Sequence, residues 1–177
     1  MIYFDYVNAP GVGQKELSRL GRELLWKLVA AAGESAEGLE IKKGVNGRPY
    51  FDNCERLDFS ISHSNDLVVC ALSVDSGKIG VDTERQESTI RKEKQPQFAG
   101  RFFSGNEREL LEANPERFSE IWTRKEAYLK RSGVGLATDL REVDTCRIPS
   151  TVRFETLFAD EHVITICLAS DAEITKI

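Results

Sequence analysis

The chain has 177 residues, 41% of them hydrophobic and 30% charged, with a formal net charge of −5. That length buries one good core, or two small lobes sharing an interface. The acidic balance argues against general nucleic-acid binding, which shows as a basic excess or stripe. No apolar run approaches the roughly 20 residues that a bilayer crossing needs. The opening stretch, MIYFDYVNAPGVG, lacks a basic start and a long apolar core, so no signal peptide is expected. The cysteines (Cys54, Cys70, Cys146 and Cys167) form no CxxC pair, and the expected setting is reduced and cytoplasmic.

Met1–Val7 is aromatic and β-branched and reads as a first strand, broken at Asn8-Ala9-Pro10-Gly11. From Gln14 to Ala32, Leu17, Leu20, Leu24, Leu25, Leu28 and Val29 recur at helical spacing, and Gly33 ends the helix. Gly44–Phe51, GVNGRPYF, is a punctuated turn entering a short extended segment. Leu57–Ser62 and Leu67–Val74 form an expected hairpin around His63-Ser64-Asn65-Asp66. Asp75-Ser76-Gly77 is a turn, and KIGVDTE is the next strand. Gln86–Gln97 is polar and without apolar periodicity, and is expected to be a mobile, solvated loop. Ser104, with Glu107 three residues on, has the spacing of a capping box. Asn114-Pro115 interrupts that helix, and a long helix through Trp122 runs to Gly133 and Gly135. Thr151–Phe158 and His162–Ala169 close the chain as a second hairpin, with His162 expected to be a surface or turn residue. Two halves, 1–77 and 78–177, each read strand, helix, hairpin, and VVCALS faintly echoes ITICLAS.

Chemistry concentrates in FSEIWTRKEAYLKRSGVG (Phe118–Gly135) and KIGVDTER (Lys78–Arg85). At about 100° per residue, Glu126 and Lys130 lie about 40° apart on one helix stripe, with Lys125 flanking. Strand alternation puts Asp82 and Glu84 on one face, and Val81 and Thr83 on the other. Separately these are an exposed strand face and an ordinary helix ion pair worth about 0.2–0.5 kcal/mol. Together, three carboxylates and two lysines suit a hard divalent cation held against a polyphosphate. His63, beside Ser60, Ser62 and Asp66, suggests no hydrolase triad, since no G-x-S-x-G elbow is present. Glycine-rich nucleotide loops are absent as well.

VDTE preceded by Ile79-Gly80, then WTRKEAYLK, resembles the paired signature of the 4′-phosphopantetheinyl transferase superfamily. SISHS (Ser60–Ser64) resembles a third element of its larger, two-lobed, surfactin-synthetase-activating type. The likeness is collinear from about Gly44 to Leu136. It implies an α+β fold: a pseudo-twofold pair of similar lobes, each a small, mainly antiparallel sheet packed with a long helix. The N-terminal lobe would be 1–77 and the C-terminal lobe, carrying the metal site, 78–177. The site would lie in the cleft between them, and a monomer is expected because one chain supplies both walls.

The resemblance further implies Mg²⁺ on Asp82, Glu84 and Glu126, and coenzyme A as co-substrate, contacted by Arg48, Ser62, His63, Lys125 and Lys130. Glu126 and Lys130 would be catalytic, with a metal-bound water as the alternative base to Glu126. The partner would be an apo acyl or peptidyl carrier protein of fatty-acid, polyketide or nonribosomal-peptide synthesis, with no nucleic acid and no membrane involved. The chain departs from the family's pattern on the first helix. There an arginine that reaches the nucleotide's 3′-phosphate is replaced by Leu17, with Arg19 and Arg22 nearby. Two other readings remain: a catalytically silent coenzyme A or carrier-binding module, and a metal-dependent phosphohydrolase.

Overall fold

Helix α1 (Gln14–Ala31) forms where the leucine stripe demands it, burying Leu17, Leu24, Leu25, Leu28 and Val29, and Gly33 follows it at φ +74°. The computed structural model describes residues 1–44, 46–87, 90–135 and 138–177. Parts of the expected Gly44–Phe51 turn and Gln86–Gln97 loop, and the end of the resemblance at Leu136, therefore lie outside the described residues. The strands are β1 (Ile2–Asn8), β2 (Ile41–Lys43), β3 (Pro49–Phe51), β4 (Leu57–Ser64), β5 (Leu67–Val74), β6 (Gly80–Arg85), β7 (Val152–Ala159), β8 (His162–Ala169) and β9 (Ile174–Lys176). The remaining helices are α2 (Gln95–Phe102), α3 (Gly105–Ala113) and α4 (Phe118–Ser132). The class is α+β, as expected.

One sheet has the order β4-β5-β1-β9 and a second β6-β8-β7, with β2 and β3 forming a small ribbon. In both halves the opening strand pairs antiparallel with the second strand of the hairpin: β1 with β5 and β6 with β8. The two sheets share a core. Leu67, Val69 and Ala71 on one face of β5 pack with Ile164, Ile166 and Leu168 of β8. The opposite face of β5, Val68, Cys70 and Leu72, packs beneath α1. Ala127 of α4 packs on Cys167, on the far face of β8. The layers run α1, sheet, sheet, α4. The central strands β5 and β8 are buried on both faces, which is why their sequences are unbroken apolar runs rather than alternating ones. β9, from the end of the chain, adds in parallel to β1, so the sheet of the first half is completed by the second.

Two local expectations change. The first hairpin turns only at Asn65-Asp66, with Asn65 at φ +53°, so His63 and Ser64 belong to β4. The loop expected up to Gln97 gives way to a 3₁₀ turn at Lys92–Lys94 and to α2, which starts at Gln95 with Pro96 in its first turn. Its first turn is polar, so periodicity does not show it. Its apolar residues begin at Phe98, which packs against Phe102, Phe118 and Trp122 at centroid distances of 4.6, 5.6 and 4.9 Å. The Ser104 capping box forms with both bonds present.

α4 crosses β6 at unusually close range. A Cβ on Gly80 would lie 2.0 Å from the Ala127 carbonyl oxygen and 2.6 Å from the Arg131 amide nitrogen. Only glycine lets the strand and the helix backbone approach this closely. Gly80→Ala is expected to destabilise the fold by about 3 kcal/mol or more; urea unfolding with a midpoint like that of the parent chain would refute the tight crossing.

Candidate active site

Three elements converge beside that crossing. β4 is an edge strand of the first sheet, and β6 an edge strand of the second. Their backbones do not pair; side chains at every second position of β4 bridge them instead. Asp58 accepts from the Ile79 amide at 2.8 Å and the Ser60 hydroxyl from the Val81 amide at 3.0 Å. Ser62 donates to Asp82 Oδ1 at 2.7 Å and Ser64 to Glu84 Oε2 at 2.9 Å. From α4, Lys130 Nζ donates to Asp82 Oδ1 at 2.7 Å, to Ser62 Oγ at 2.8 Å and to the Val81 carbonyl at 3.1 Å. Ser62, Asp82 and Lys130 thus form one knot drawn from three elements.

The second oxygen of Asp82, Oδ2, is buried without a hydrogen-bond partner. Burial raises the pKa of Glu126, and the nearby Asp82 charge adds to the rise, against the pull of Lys130. Burial likewise raises Glu84, with the Ser64 hydrogen bond opposing and the Asp82 charge reinforcing. Two half-buried glutamates raised first by burial and then by the Asp82 charge mark a place short of positive charge. Among the described residues, no group of acidic, histidine or cysteine side chains is close enough as placed to hold a metal ion. Instead, the cation resting on Asp82 is the Lys130 ammonium. Beside the knot opens a cleft of about 270 Å³, lined by Arg48, Phe59, Ile61, Glu126, Leu129 and Lys130 among others.

Residues 78–175 match the family model described as the 4′-phosphopantetheinyl transferase superfamily. The chain belongs to that superfamily. A 4′-phosphopantetheinyl transferase of Bacillus subtilis is 37% identical over 124 residues, covering 64% of this chain and 52% of the relative. The transferase gsp of Aneurinibacillus migulanus is 34% identical over 141 residues, covering 76% of this chain and 54% of the relative. The transferase AcpT of Salmonella typhi is 34% identical over 142 residues, covering 77% of this chain and 70% of the relative. The chain therefore spans about half the length of the first two relatives.

Not every residue singled out for this superfamily site reaches the knot. Ser62, Asp82 and Lys130 meet there, Glu84 accepts from Ser64 two residues along the seam, and Glu126 lines the neighbouring cleft. Lys125 does not, and the expectation of a phosphate contact is corrected by its position. It lies five positions before Lys130, about 140° around the helix, and it points into the protein with no exposure. Its ammonium sits 2.8 Å from Glu107, itself fully buried, and also donates to the Leu140 and Val143 carbonyls. Glu107 in turn accepts from the Ser104 and Thr145 amides. Sequence spacing found Glu107 as a helix cap but missed this second bond, which joins segments far apart in the chain.

Arg48 lines the cleft with its guanidinium already engaged. It donates to both oxygens of Asp58 at 2.9 and 2.6 Å, to the Lys130 carbonyl at 2.7 Å and to the Ile79 carbonyl at 2.9 Å. His63 falls on the opposite face of β4 from Ser62, the face whose Ile61 meets Gly21 of α1. His162 is buried rather than a surface residue, with Nε2 3.4 Å from Asp66. On α1, Leu17 is a core residue and Arg19 is tied to Glu16 and Glu23.

Two outcomes are expected. Lys125→Met strands the Glu107 charge in the interior and should cost about 3–5 kcal/mol of stability; an unchanged denaturation midpoint would remove the pair's role. For Glu126, the raised pKa means the folded state binds the extra proton between the usual 4.5 and the raised value, so stability falls as pH rises through that window. Glu126→Gln, measured by thermal unfolding in chelator, should therefore gain on the parent chain as pH rises above 4.5; a gap that stays flat or closes would show that burial and the neighbouring charges do not disfavour the Glu126 carboxylate.

Proposed function

We propose that this chain transfers the 4′-phosphopantetheine arm of coenzyme A to a serine of an apo acyl or peptidyl carrier protein, in a Mg²⁺-dependent reaction that releases adenosine 3′,5′-bisphosphate. The observation that carries the reading is the meeting of Ser62, Asp82 and Lys130 beside Glu126 and an open cleft, in a chain whose family is named for this transfer. In the reaction the carrier serine oxygen bonds to the β-phosphorus of the coenzyme A pyrophosphate as the bond to the nucleotide phosphate breaks. The serine proton must leave during attack, and negative charge builds on the departing nucleotide.

The donor set fits a hard divalent cation. It offers only carboxylate oxygens, one of them, Asp82 Oδ2, buried and without a partner, and the acidic groups repel one another as they stand. Asp82, Glu84 and Glu126 would hold the ion, which supplies Lewis-acid neutralisation of the pyrophosphate. Lys130 would meet phosphate oxygens on leaving Asp82. Glu126 lines the cleft, where it would take the serine proton, with a water on the cation as the alternative base. Arg48 would wall the nucleotide end of the cleft through its grip on Asp58, with Ser62 and His63 of β4 nearby. The site is assembled from one chain, which supports action as a monomer. No helix among the described residues is long and apolar enough to cross a membrane.

Mass spectrometry of an apo carrier incubated with coenzyme A, Mg²⁺ and the protein tests the reading. The carrier should gain one phosphopantetheine, and Glu126→Gln should slow the gain by about 100-fold or more. A carrier bound yet never modified would instead make the protein a silent binding module, and undiminished transfer by the variant would strip Glu126 of its role.

A further inference from the structure

The seam between β4 and β6 contains a device that the catalytic reading leaves unused. Its rungs are Asp58, Ser60, Ser62 and Ser64, spaced two residues apart so that all project from one side of β4. The first two rungs take backbone amides, those of Ile79 and Val81. The last two take carboxylates, those of Asp82 and Glu84, which share the same two-residue spacing on β6. Ser62 is shared with Lys130, whereas the Ser64 hydroxyl donates to Glu84 Oε2 at 2.9 Å and accepts a longer bond from the Asn65 side-chain amide at 3.5 Å. Glu84 is half-buried. A serine that donates a hydrogen bond to it holds the carboxylate in one orientation.

We propose that Ser64 is a positioning residue for the cation site: a hydroxyl on one half of the molecule that holds the Glu84 carboxylate, on the other half, in the orientation a divalent ion requires. The inference rests on the transferase reading of the site. It differs from a general role in joining the sheets, because Ser60 makes an equivalent bridge to a backbone amide and, among the described residues, bonds no carboxylate. Cation affinity is therefore expected to follow Ser64, while Ser60 contributes only to the seam.

The isosteric pair Ser64→Thr and Ser64→Val separates the hydroxyl from the space it fills, and Ser60→Ala serves as the seam control. Each full-length variant is titrated with Mn²⁺ in the presence of coenzyme A, with free Mn²⁺ read by electron paramagnetic resonance, and its melting temperature is recorded in parallel. Ser64→Val should weaken Mn²⁺ binding about 10-fold or more, Ser64→Thr should retain most of the parent affinity, and Ser60→Ala should lower the melting temperature without changing affinity. Equal affinities for the valine and threonine forms would overturn the role of Ser64 while leaving the transferase reading in place. Equal weakening by Ser60→Ala and Ser64→Val would also overturn it, by reducing Ser64 to seam packing. If the parent chain itself shows no saturable Mn²⁺ binding, both this inference and the cation-dependent reading beneath it fall.

Discussion

The lateral contact between β4 and β6 is the constraint from which the site follows. Two edge strands from different sheets lie side by side without sharing a backbone ladder, so each presents amides and carbonyls that need partners. Short polar side chains of β4 supply them, and the seam is held by Asp58, Ser60, Ser62 and Ser64 instead of by a continuous sheet. An uninterrupted ladder would have brought the strands about 4.8 Å apart and merged the sheets. The side-chain seam keeps a gap along the strands, and the cleft opens next to it.

α4 adds the third wall, and its position is fixed from two sides. Gly80 lets its backbone press onto β6, while the buried Lys125–Glu107 pair ties its inner side to the cap of α3 and to the segment around Leu140–Thr145. With the helix held in rotation, Glu126 and Lys130 face the seam. Removing two charges from water is costly, and the pair is tolerated because its remaining hydrogen-bonding capacity is met by backbone groups. The same reasoning accounts for Arg48. An arginine fork in the interior seeks a carboxylate, and Asp58 supplies one within the seam, so Arg48 braces β4 against the end of α4.

Electrostatically the site is unfinished. Carboxylates crowd a partly buried space, Lys130 is the cation that meets Asp82, and Asp82 Oδ2 has no partner. A folded protein keeps such an arrangement at the expense of stability, and function is the usual reason.

The amino-acid sequence alone determined the elements whose causes are local: the leucine stripe of α1, the Ser104–Glu107 cap, the termination of α4 at Gly133, and the two apolar hairpins. It also determined that Asp82 and Glu84 share a face and that Glu126 and Lys130 share a stripe, because those relations depend only on strand and helix period. Tertiary structure decided the rest. Which way the α4 stripe turns could not be read from periodicity, since Lys125 and Lys130 are both lysines flanking a glutamate. Only the buried Glu107, 18 residues upstream of Lys125, drew one inward and left the other for the site. The commitment of Arg48 to Asp58, the burial of His162 and the grip of Ser64 on Glu84 join residues distant along the chain, and no local rule of spacing records which partners folding will bring together.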